Sequence, residues 1–404
     1  MIPVVVGGDI GAYALIRAFH ENMGVRGVVV SRVKTRPFTH SRIATQVLAD
    51  VEDPDALVAA LVSLAESRPG ERLVLLSNVD WYVETIVKRR AELEPHFEIP
   101  MCSAIAFDRV SSKESFQADC EELGIPVPKT LAVRFASGAA APDGELATLT
   151  YPVIGKPSSS AEHHYVNYPG KLKVAHLNSR AQVDDLLARL ALAGFSGTFL
   201  LQEFVPGDET HMRSLTAYRD ARGQVTMLCT GRVLLEEHTP GTLGIPAAIL
   251  TEQYADAMDA MSRYLELVDY RGFANADYKW DERTASHVFF EVNPRIGRNN
   301  YYATAAGVNP ARFVAADLDG TPVVPERATA QILYSVVPFG LLKRYLPELG
   351  LRSQVEATAR RGIARPLVYK RDRSLIRRAI IAAFTWNYRR KYAEFYPRPT
   401  ETGL

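Results

Sequence analysis

Cysteine is scarce in this chain. Among its 404 residues there are three cysteines, Cys102, Cys120 and Cys229, and they lie too far apart to form a C-x-x-C pair. Single, widely spaced cysteines supply neither a disulfide framework nor the paired thiolates of a zinc site. The sequence therefore predicts a protein of a reducing compartment, the cytoplasm.

A large net charge, long apolar runs and internal repeats are also missing. The formal net charge is +1, with 47% hydrophobic and 23% charged residues, so there is no overall field that would attract nucleic acid. No uninterrupted apolar stretch is long enough to cross a bilayer. The apolar N-terminus lacks a basic segment and is broken by Gly7-Gly8-Asp9, so we interpret it as a buried strand and not as a signal peptide.

The first hundred residues alternate between β-rich and helical patterns. Helices are predicted after Gly11 and at 53–65, the second capped by Asp53 and Pro54. Strands are predicted at 2–6, 27–30, 46–49 and 73–76. This alternation predicts a doubly wound parallel sheet in a chain long enough for two or three domains.

Two loops at the predicted carboxyl ends of these strands are candidates for ligand binding. The turn at 7–11 contains glycines but lacks the complete G-x-G-x-x-G pattern, so we interpret it chiefly as a tight turn. Phosphate or substrate binding at this turn is the alternative. The segment Ser77-Asn78-Val79-Asp80 follows the fourth strand, where such sheets place ligand loops, and is a candidate substrate site.

The stretch 273–302 carries a dense set of chemically useful side chains. Two β-rich runs, 273–280 and 288–293, flank a polar turn and are predicted to form adjacent antiparallel strands. Because side chains alternate faces along a strand, Glu291 and Asn293 share one face, and the hairpin can bring Asp277 beside them. Two carboxylates and an amide oxygen suit Mg²⁺, with water and nucleotide phosphates completing the coordination.

The alternative is that these three residues face solvent on an edge strand, as most single acidic residues do. Their surroundings argue against it, because Glu291 lies in an otherwise apolar run where an unpaired charge is costly. Arg295 and Arg298 follow directly, and they are cations suited to phosphate or carboxylate. We therefore favour metal and phosphate chemistry at this hairpin.

Two lysines upstream are candidates for binding phosphate. Ser111, with Glu114 three positions later, is expected to begin a helix that holds Lys113 in its first turn, where a cation opposes the helix dipole unless an anion is present. Lys156 ends a short β run and precedes a loop of small residues that could close over a ligand. The alternatives are a solvated lysine at 113 and, at 156, a lysine that only reaches out of the core to water.

A strand at 199–205 leads into a Pro-Gly turn that is followed by Asp208 and Glu209. An apolar slot at the end of this strand would suit adenine, and a carboxylate a few residues later could bind the ribose hydroxyls. Turns commonly contain such acids, so the pattern is not specific by itself. The runs at 214–218 and 225–233 are expected to continue an antiparallel sheet from this strand.

The last part of the chain is strongly basic. Between Arg360 and Arg398 the acidic residues are only Asp372 and Glu394, and aromatic and aliphatic residues are interleaved with the basic ones. A basic amphipathic helix can lie on anionic lipid or bind a polyanionic substrate. A packed C-terminal helix with a solvated basic face is the commoner arrangement, and we favour it.

Taken in order, these features resemble the ATP-grasp superfamily of carboxylate-amine ligases. The similarity covers about residues 110–320 and lies in the sequence of two lysines, a Gln-Glu-Phe-Val segment, and an aspartate followed by Glu-x-Asn on a hairpin. More narrowly, the segments GRNNYYATAAGVNP and YSVVPFGLLKRYL with the basic tail resemble the D-aspartate ligase branch. That branch attaches aspartate to the lysine side chain of peptidoglycan precursors.

The resemblance implies a set of ATP-binding residues. The lysines match phosphate-binding positions, the Gln-Glu-Phe-Val segment matches the adenine-binding strand, and Glu209, with Asp208 as the other candidate, matches the ribose-binding acid. The implied ATP-binding residues are Lys113, Lys156, Gln202, Glu203, Phe204, Val205, Asp208 and Glu209.

The resemblance also implies a metal site and a catalytic set. Asp277, Glu291 and Asn293 match the ligands of Mg²⁺, for which Mn²⁺ is the alternative ion. Arg295 matches the arginine that faces the transferred phosphate and the acyl phosphate. The implied catalytic residues are Arg295, Lys156 and Arg298.

The domain organisation implied by the resemblance has three parts. Residues 1–108 would form a Rossmann-like domain, 109–320 an ATP-grasp domain with a lid at about 130–205, and 321–404 a C-terminal extension with a basic helix. One segment departs from the superfamily, because the loop SSSAEHHYVNYPGK after Lys156 is not the usual glycine-rich lid.

The implied activity is ADP-forming amide synthesis, in which ATP converts a carboxylate into an acyl phosphate that an amine then attacks. The expected acid is aspartate or a similar amino acid, and the expected amine is the lysine or ornithine side chain of a peptidoglycan precursor, such as a nucleotide-linked muropeptide. The alternatives are a ligase that joins small amino acids or peptides and a non-catalytic ATP-binding module. Binding adenine alone would not require the Asp277, Glu291, Asn293 and Arg295 set.

Overall fold

A computed structural model describes residues 1–135, 143–158, 166–172, 174–346 and 348–403. The chain divides into two compact units, and both are discontinuous in sequence. The first unit comprises Met1–Gly124, Gly207–Trp280 and Glu291–Leu404, and the second comprises Ile125–Pro206 and Asp281–Phe290.

The first unit begins with a four-stranded parallel sheet, which confirms the predicted N-terminal fold. Its strands, in the order β3-β2-β1-β4, are β1 (Ile2–Val6), β2 (Gly27–Ser31), β3 (Ala44–Leu48) and β4 (Leu73–Ser77). The valine- and leucine-rich strands β2 and β4 are buried along their whole length, as expected for a parallel sheet covered on both faces. Asp9 and Asp53 cap the helices α1 (Ile10–Met23) and α2 (Pro54–Glu66).

Four helices follow the parallel sheet, namely α3 (Asp80–Lys88), α4 (Arg90–Leu93), α5 (Ala104–Ser111) and α6 (Lys113–Leu123). The prediction that Ser111 begins a helix was wrong by one residue. Ser111 ends α5, and the extended backbone of Ser112 separates the two helices, so the Ser112 side chain caps α6 by accepting from the backbone N of Ser115 at 3.2 Å. Lys113 is the first residue of α6 and therefore lies in its first turn, as predicted.

The second unit contains a four-stranded antiparallel sheet in the order β5-β8-β6-β7. Buried leucines, valines and phenylalanines form its core, including one face of α8. Its elements are β5 (Thr130–Arg134), α7 (Asp143–Leu146), β6 (Val153–Pro157), β7 (Ala175–Leu177), α8 (Arg180–Leu192) and β8 (Thr198–Glu203). Residues 136–142, and residues 159–165 of the loop after Lys156, lie outside the described residues.

An eight-stranded, mostly antiparallel sheet has the order β13-β12-β9-β10-β11-β15-β16, with β14 beside β10. The helix α9 (Ala255–Leu267) precedes β12. The strands are β9 (Met212–Arg219), β10 (Val225–Glu236), β11 (Pro246–Thr251), β12 (Gly272–Asp281), β13 (Ser286–Asn293), β14 (Glu326–Arg327), β15 (Leu333–Ser335) and β16 (Ile363–Ala364).

The strand predicted at 199–205 was expected to continue into the runs that became β9 and β10, and this expectation was wrong. This strand, β8, pairs with β5 and β6, whereas β9 pairs with β10 and β12. The turn at Pro206 and Gly207 ends the second unit and returns the chain to the first. The strands β8 and β9 therefore follow each other in sequence but belong to different sheets.

The C-terminal helices are α10 (Tyr301–Ala305), α11 (Pro310–Leu318), α12 (Phe339–Leu342), α13 (Leu349–Arg361) and α14 (Leu375–Phe395). Ile381, Tyr388 and Tyr392 on one face of α14 belong to the main core of the first unit, while basic residues such as Arg378 and Arg389 are exposed. This is the packed arrangement that we favoured for the basic tail. None of the helices in the described part of the chain is long and apolar enough to span a membrane.

Candidate active site

The β12-β13 hairpin brings the three predicted metal ligands together. Asn293 Nδ2 donates a hydrogen bond to Asp277 Oδ2 at 3.1 Å, which shows that these side chains share one face of the hairpin. Asn275 Nδ2 lies 3.4 Å from the other oxygen of Asp277. Glu291 is half-buried two positions before Asn293, and its charge acts on Asp277.

The Asp277 carboxyl group is in an unfavourable environment for a negative charge. Burial raises its pKa from 3.8 to about 7, and the nearby charge of Glu291 adds to this increase. Arg295 and the hydrogen bond from Asn293 act in the opposite direction but do not cancel it. The site therefore favours an additional cation beside Asp277 and Glu291.

The donor set fits a hard divalent cation. Carboxylate and amide oxygens are ligands that Mg²⁺ and Mn²⁺ accept, with phosphate oxygens and water completing the coordination. Among the described residues no group of three or more His, Cys, Asp or Glu side chains could hold a metal alone. The hairpin supplies two carboxylates and one amide oxygen. An ion bound there would need further ligands, and nucleotide phosphates can supply them.

Arg295 connects this hairpin to the parallel sheet of the first unit. Its Nε and Nη2 atoms lie 3.1 and 3.2 Å from the two carboxylate oxygens of Asp80, the first residue of α3. Its Nη2 atom also donates to Asn293 Oδ1 at 3.1 Å. The guanidinium group is therefore held in one orientation beside the candidate metal ligands.

Arg298 is half-buried and lies between two carboxylates. It forms an ion pair with Asp9 Oδ2 at 3.2 Å and a second ion pair with Glu237. Burial alone would lower the pKa of Arg298, but Glu237, Tyr388 and Asp9 raise it far above its ordinary value. Arg298 therefore remains charged, and its charge is balanced by two acids within the first unit.

Both loops predicted at the carboxyl ends of the parallel strands contribute to this arrangement. Asp9 follows β1 and Asp80 follows β4, and they supply partners for Arg298 and Arg295. Asn78 Nδ2 donates to both oxygens of Asp9 at 3.1 Å. The edge of the parallel sheet therefore meets the loop after β13 at a cluster of alternating charges.

Gly11 allows this close approach. A Cβ atom at Gly11 would lie 2.8 Å from the Cα atom of Arg298 and 2.5 Å from Nδ2 of Asn78. The backbone oxygen of Gly11 also accepts a hydrogen bond from Asn300 Nδ2 at 3.1 Å. Since the nearest obstacle includes backbone, a larger residue would displace the loop that carries Arg298.

We expect Gly11→Ala to lower the free energy of unfolding by about 1–3 kcal/mol, because the added methyl group overpacks a close backbone contact. Urea denaturation of the purified variant measures this change. Gly241→Ala is the control, since no atom of the described residues lies within 4 Å of the position its Cβ would occupy. Equal stability of the two variants would contradict the close approach at Gly11.

Two acids in this region, Glu236 and Glu237, were not singled out from the sequence. Burial, with help from Glu209 and Asp277, raises the pKa of Glu236 well above its ordinary value, while Lys279 acts in the opposite direction. Glu237 accepts from Tyr388 Oη at 3.1 Å in addition to its ion pair with Arg298. Two adjacent acids at the end of an apolar strand were the only available signal.

The two candidate ribose-binding acids are engaged within the first unit. Glu209 is only 6% exposed and accepts hydrogen bonds from the backbone N of Glu236 and from His238 Nε2, the latter at 3.0 Å. Asp208 caps a short 3-10 turn by accepting from the backbone N of Thr210 at 2.9 Å. A ribose-binding role for either acid stays a prediction.

The other predicted ATP-binding residues lie mainly in the second unit. Lys156 on β6 donates to Gln202 Oε1 on β8 at 3.1 Å, so these side chains share one face of that sheet. Glu203 accepts from the backbone N of Thr150 at 2.8 Å. Phe204 contacts the edge of His176, and Val205 is buried.

Lys113 belongs to the first unit and has no ion-pair partner among the described residues.

Comparison with known proteins identifies the family of this arrangement. Residues 112–315 match the family described as carbamoyl-phosphate synthase L chain, ATP binding domain. The D-aspartate ligase of Enterococcus faecium is 30% identical over 408 residues, which cover 98% of this chain and 96% of that protein. The chain belongs to the ATP-grasp superfamily of carboxylate-amine ligases. It is an ADP-forming ligase, as the sequence resemblance implied.

Solved structures confirm the predicted ATP-grasp fold. N5-carboxyaminoimidazole synthetase from Staphylococcus aureus, complexed with ADP, has a TM-score of 0.59 at 15% identity and covers 82% of this chain and 81% of that chain. The L-amino acid ligase from Bacillus licheniformis has a TM-score of 0.55 at 12% identity and covers 80% of this chain and 74% of that chain. ATP-grasp ligases generally use ATP with Mg²⁺ or Mn²⁺.

Proposed function

We propose that this ATP-grasp ligase joins aspartate, or a similar amino acid, to the lysine or ornithine side chain of a peptidoglycan precursor. The observation that carries the proposal is the similarity to D-aspartate ligase along nearly the whole of both chains. A match of this extent includes the parallel sheet, the hairpin and the C-terminal helices, and is not limited to the ATP-binding region.

We assign the ATP-binding roles residue by residue. Gln202, Glu203, Phe204 and Val205 would contact adenine, and Lys113 and Lys156 would offset the charge of the phosphates. Asp277, Glu291 and Asn293 would hold Mg²⁺ or Mn²⁺, which when bound supplies positive charge to the phosphate oxygens.

In the first chemical step, a carboxylate oxygen of the acid attacks the γ-phosphorus, and the bond from that phosphorus to ADP breaks. In the second step, the amine attacks the acyl carbon, phosphate leaves, and the amine loses a proton. The protein would contribute mainly positioning and charge stabilisation. Arg295, fixed by Asp80 and Asn293, would neutralise charge on the transferred phosphoryl group and on the acyl phosphate.

The charged edge of the first unit supports an amino acid as the acid substrate. An amino acid carries a cationic amine and an anionic carboxylate, and this edge presents the acids Asp9 and Asp80 beside Arg295 and Arg298. The amine of a bound amino acid could pair with one of these acids, and its carboxylate could pair with one of these arginines. No charge would then be left unpaired.

We expect binding of Mn²⁺ with ATP to release a proton near pH 6.5. The Asp277 pKa of about 7 means that its carboxyl is largely protonated at this pH, whereas a metal ligand must be ionised. Metal affinity should therefore fall as pH decreases below 7, by up to about tenfold per unit, and should level off above about pH 8. Calorimetric titration of preformed Mn·ATP in buffers of different ionisation enthalpy measures the proton released by the protein, and Asp277→Asn should reduce this release.

An ADP-release screen tests the proposal. The purified ligase is assayed with Mg·ATP, D-aspartate, L-aspartate, D-glutamate or alanine, and a lysine-containing muropeptide linked to a nucleotide. The proposal expects ADP release to require an aspartate isomer together with the muropeptide. Release with pairs of small amino acids would favour the alternative ligase, and ATP binding without ADP release from any pair would favour a non-catalytic module.

A further inference from the structure

A cavity of about 650 Å³ lies beside the C-terminal helix of the first unit. One wall is formed by Arg373 and by residues of α14 between Arg377 and Arg389, and the other by residues between Arg365 and Asp372 and by Pro338 and Phe339. None of the residues assigned above to ATP, metal or the acid substrate lines this cavity. A volume of this size accommodates a small organic ligand, because ligand pockets commonly measure about 300–1,000 Å³.

The lining of the cavity has an excess of positive charge. Its single acid, Asp372, is buried and is occupied by the ion pair with Arg377 at 3.2 Å and by hydrogen bonds from Tyr13 and Ser41 at 2.6 and 2.7 Å. The remaining charged residues of the lining are Arg365, Lys370, Arg373, Arg378 and Arg389.

Four of these five cations are available to a ligand. Arg365 is half-buried and donates to the backbone oxygen of Val337 at 3.3 Å. The other four are exposed and make no ion pair among the described residues. Burial lowers the pKa of Arg365, so a nearby anion would also stabilise its charged form.

The cavity combines these cations with apolar surface. Trp386, which is 69% exposed, stands at its rim, and the buried side chains of Leu367 and Ile381 form part of its floor. An exposed indole ring beside several arginines suits a ligand that has both a flat ring and an anionic group.

We propose that this cavity binds an organic diphosphate that carries a flat ring, of nucleoside diphosphate size, at a site separate from the ATP site. Several cations around one concave space match two adjacent phosphate groups, which arginine binds through paired hydrogen bonds. The concave shape favours a single molecule over a flat lipid surface.

A second, smaller cavity indicates what this site contributes to the reaction. It shares Arg365, Leu367, Val368 and Ile381 with the first and extends to Ile10, the residue after Asp9. The first cavity therefore lies on the side of the first unit where α1 begins, next to Asp9. If the proposed function is correct, this cavity would hold the nucleotide part of the amine substrate. Binding of the organic diphosphate to the cavity does not depend on which acid and amine the ligase joins.

The test uses UDP as the probe and measures binding directly. The full-length ligase is first saturated with Mg·ADP so that the ATP site is occupied, and UDP is then titrated by calorimetry. We expect one further site, with Arg389→Gln weakening UDP binding by about tenfold, the usual loss for one charge-assisted contact. Arg390→Gln is the matched control, because Arg390 is the next residue of the same helix, is exposed, and does not line the cavity.

Tryptophan fluorescence supplies a readout that identifies the site. The chain has three tryptophans, so UDP should quench the wild-type signal but not that of Trp386→Phe. The Arg378→Gln, Arg389→Gln double variant should lose binding while keeping the wild-type thermal unfolding curve, which separates lost contacts from misfolding.

Other results would overturn the proposal. Displacement of bound ADP by UDP, with no additional site, would place UDP in the ATP site. Equal effects of Arg389→Gln and Arg390→Gln would show general attraction to a basic helix. Flotation with phosphatidylglycerol vesicles that depends on Arg389, without binding of UDP, would assign this surface to anionic lipid instead.

Discussion

Replacing Glu291 with glutamine should abolish amine-dependent ADP release, with a loss in kcat of about 10³-fold or more. The amide keeps the size of the side chain but removes one of the two negative charges that the hairpin offers to a cation. Asp277 would then be the only anionic ligand, and its burial would still disfavour the ionised form that a cation needs. Initial rates of ADP release at saturating ATP, acid and amine measure the effect.

Glu282→Gln is the matched control for this experiment. Glu282 is an exposed acid in the turn of the same hairpin, so its replacement removes one charge without touching the candidate ligands. Its ADP release should remain close to wild type. Normal turnover by Glu291→Gln would refute the metal assignment, even if the ligase activity itself is confirmed.

Replacing Arg295 with glutamine should reduce kcat by about 10²–10³-fold, because the transferred phosphoryl group and the acyl phosphate would lose a fixed cation. Arg295→Lys should recover only part of this loss, since an ammonium group cannot make the paired contact with Asp80. The KM for ATP should change much less than kcat, because the residues proposed to bind ATP are unaltered.

A structural role for Arg295 would give a different result. In that case the urea unfolding midpoint of Arg295→Gln would fall below that of the wild type. Arg271→Gln is the control, since Arg271 also forms an ion pair in the first unit, with Asp317 at 3.3 Å. Loss of stability in Arg295→Gln with wild-type kcat would rule out the proposed catalytic role.

The hairpin could be predicted from the sequence because its information is local. Alternation of apolar and polar residues places Asp277 and Asn293 on one face once the turn between their strands is recognised. The same holds for the capped helices of the first hundred residues, where Asp9 and Asp53 accept hydrogen bonds within their own first turns.

The partners of the two arginines could not be predicted in this way. Arg295 contacts Asp80, and Arg298 contacts Asp9, across more than two hundred residues of sequence. The prediction that β8 continues into β9 was wrong for a related reason. The core of the second unit sets the pairing of β8 with β5 and β6, and the strand that follows β8 in sequence does not. Long-range pairing depends on the whole fold, and a single sequence carries little direct signal of it.

The ion pairs of Arg295 and Arg298 have a consequence for engineering this ligase. Each arginine follows the hairpin that carries the candidate metal ligands, but its counter-charge is encoded near the start of the chain, at Asp80 and Asp9. A chimera that takes its first hundred residues from another ATP-grasp ligase would inherit the hairpin without those acids, unless the donor carries them at the matching strand ends. Substrate specificity should therefore be exchanged by transplanting the first hundred residues together with the hairpin and the two arginines. The acids at 9 and 80 then stay with the arginines that they neutralise.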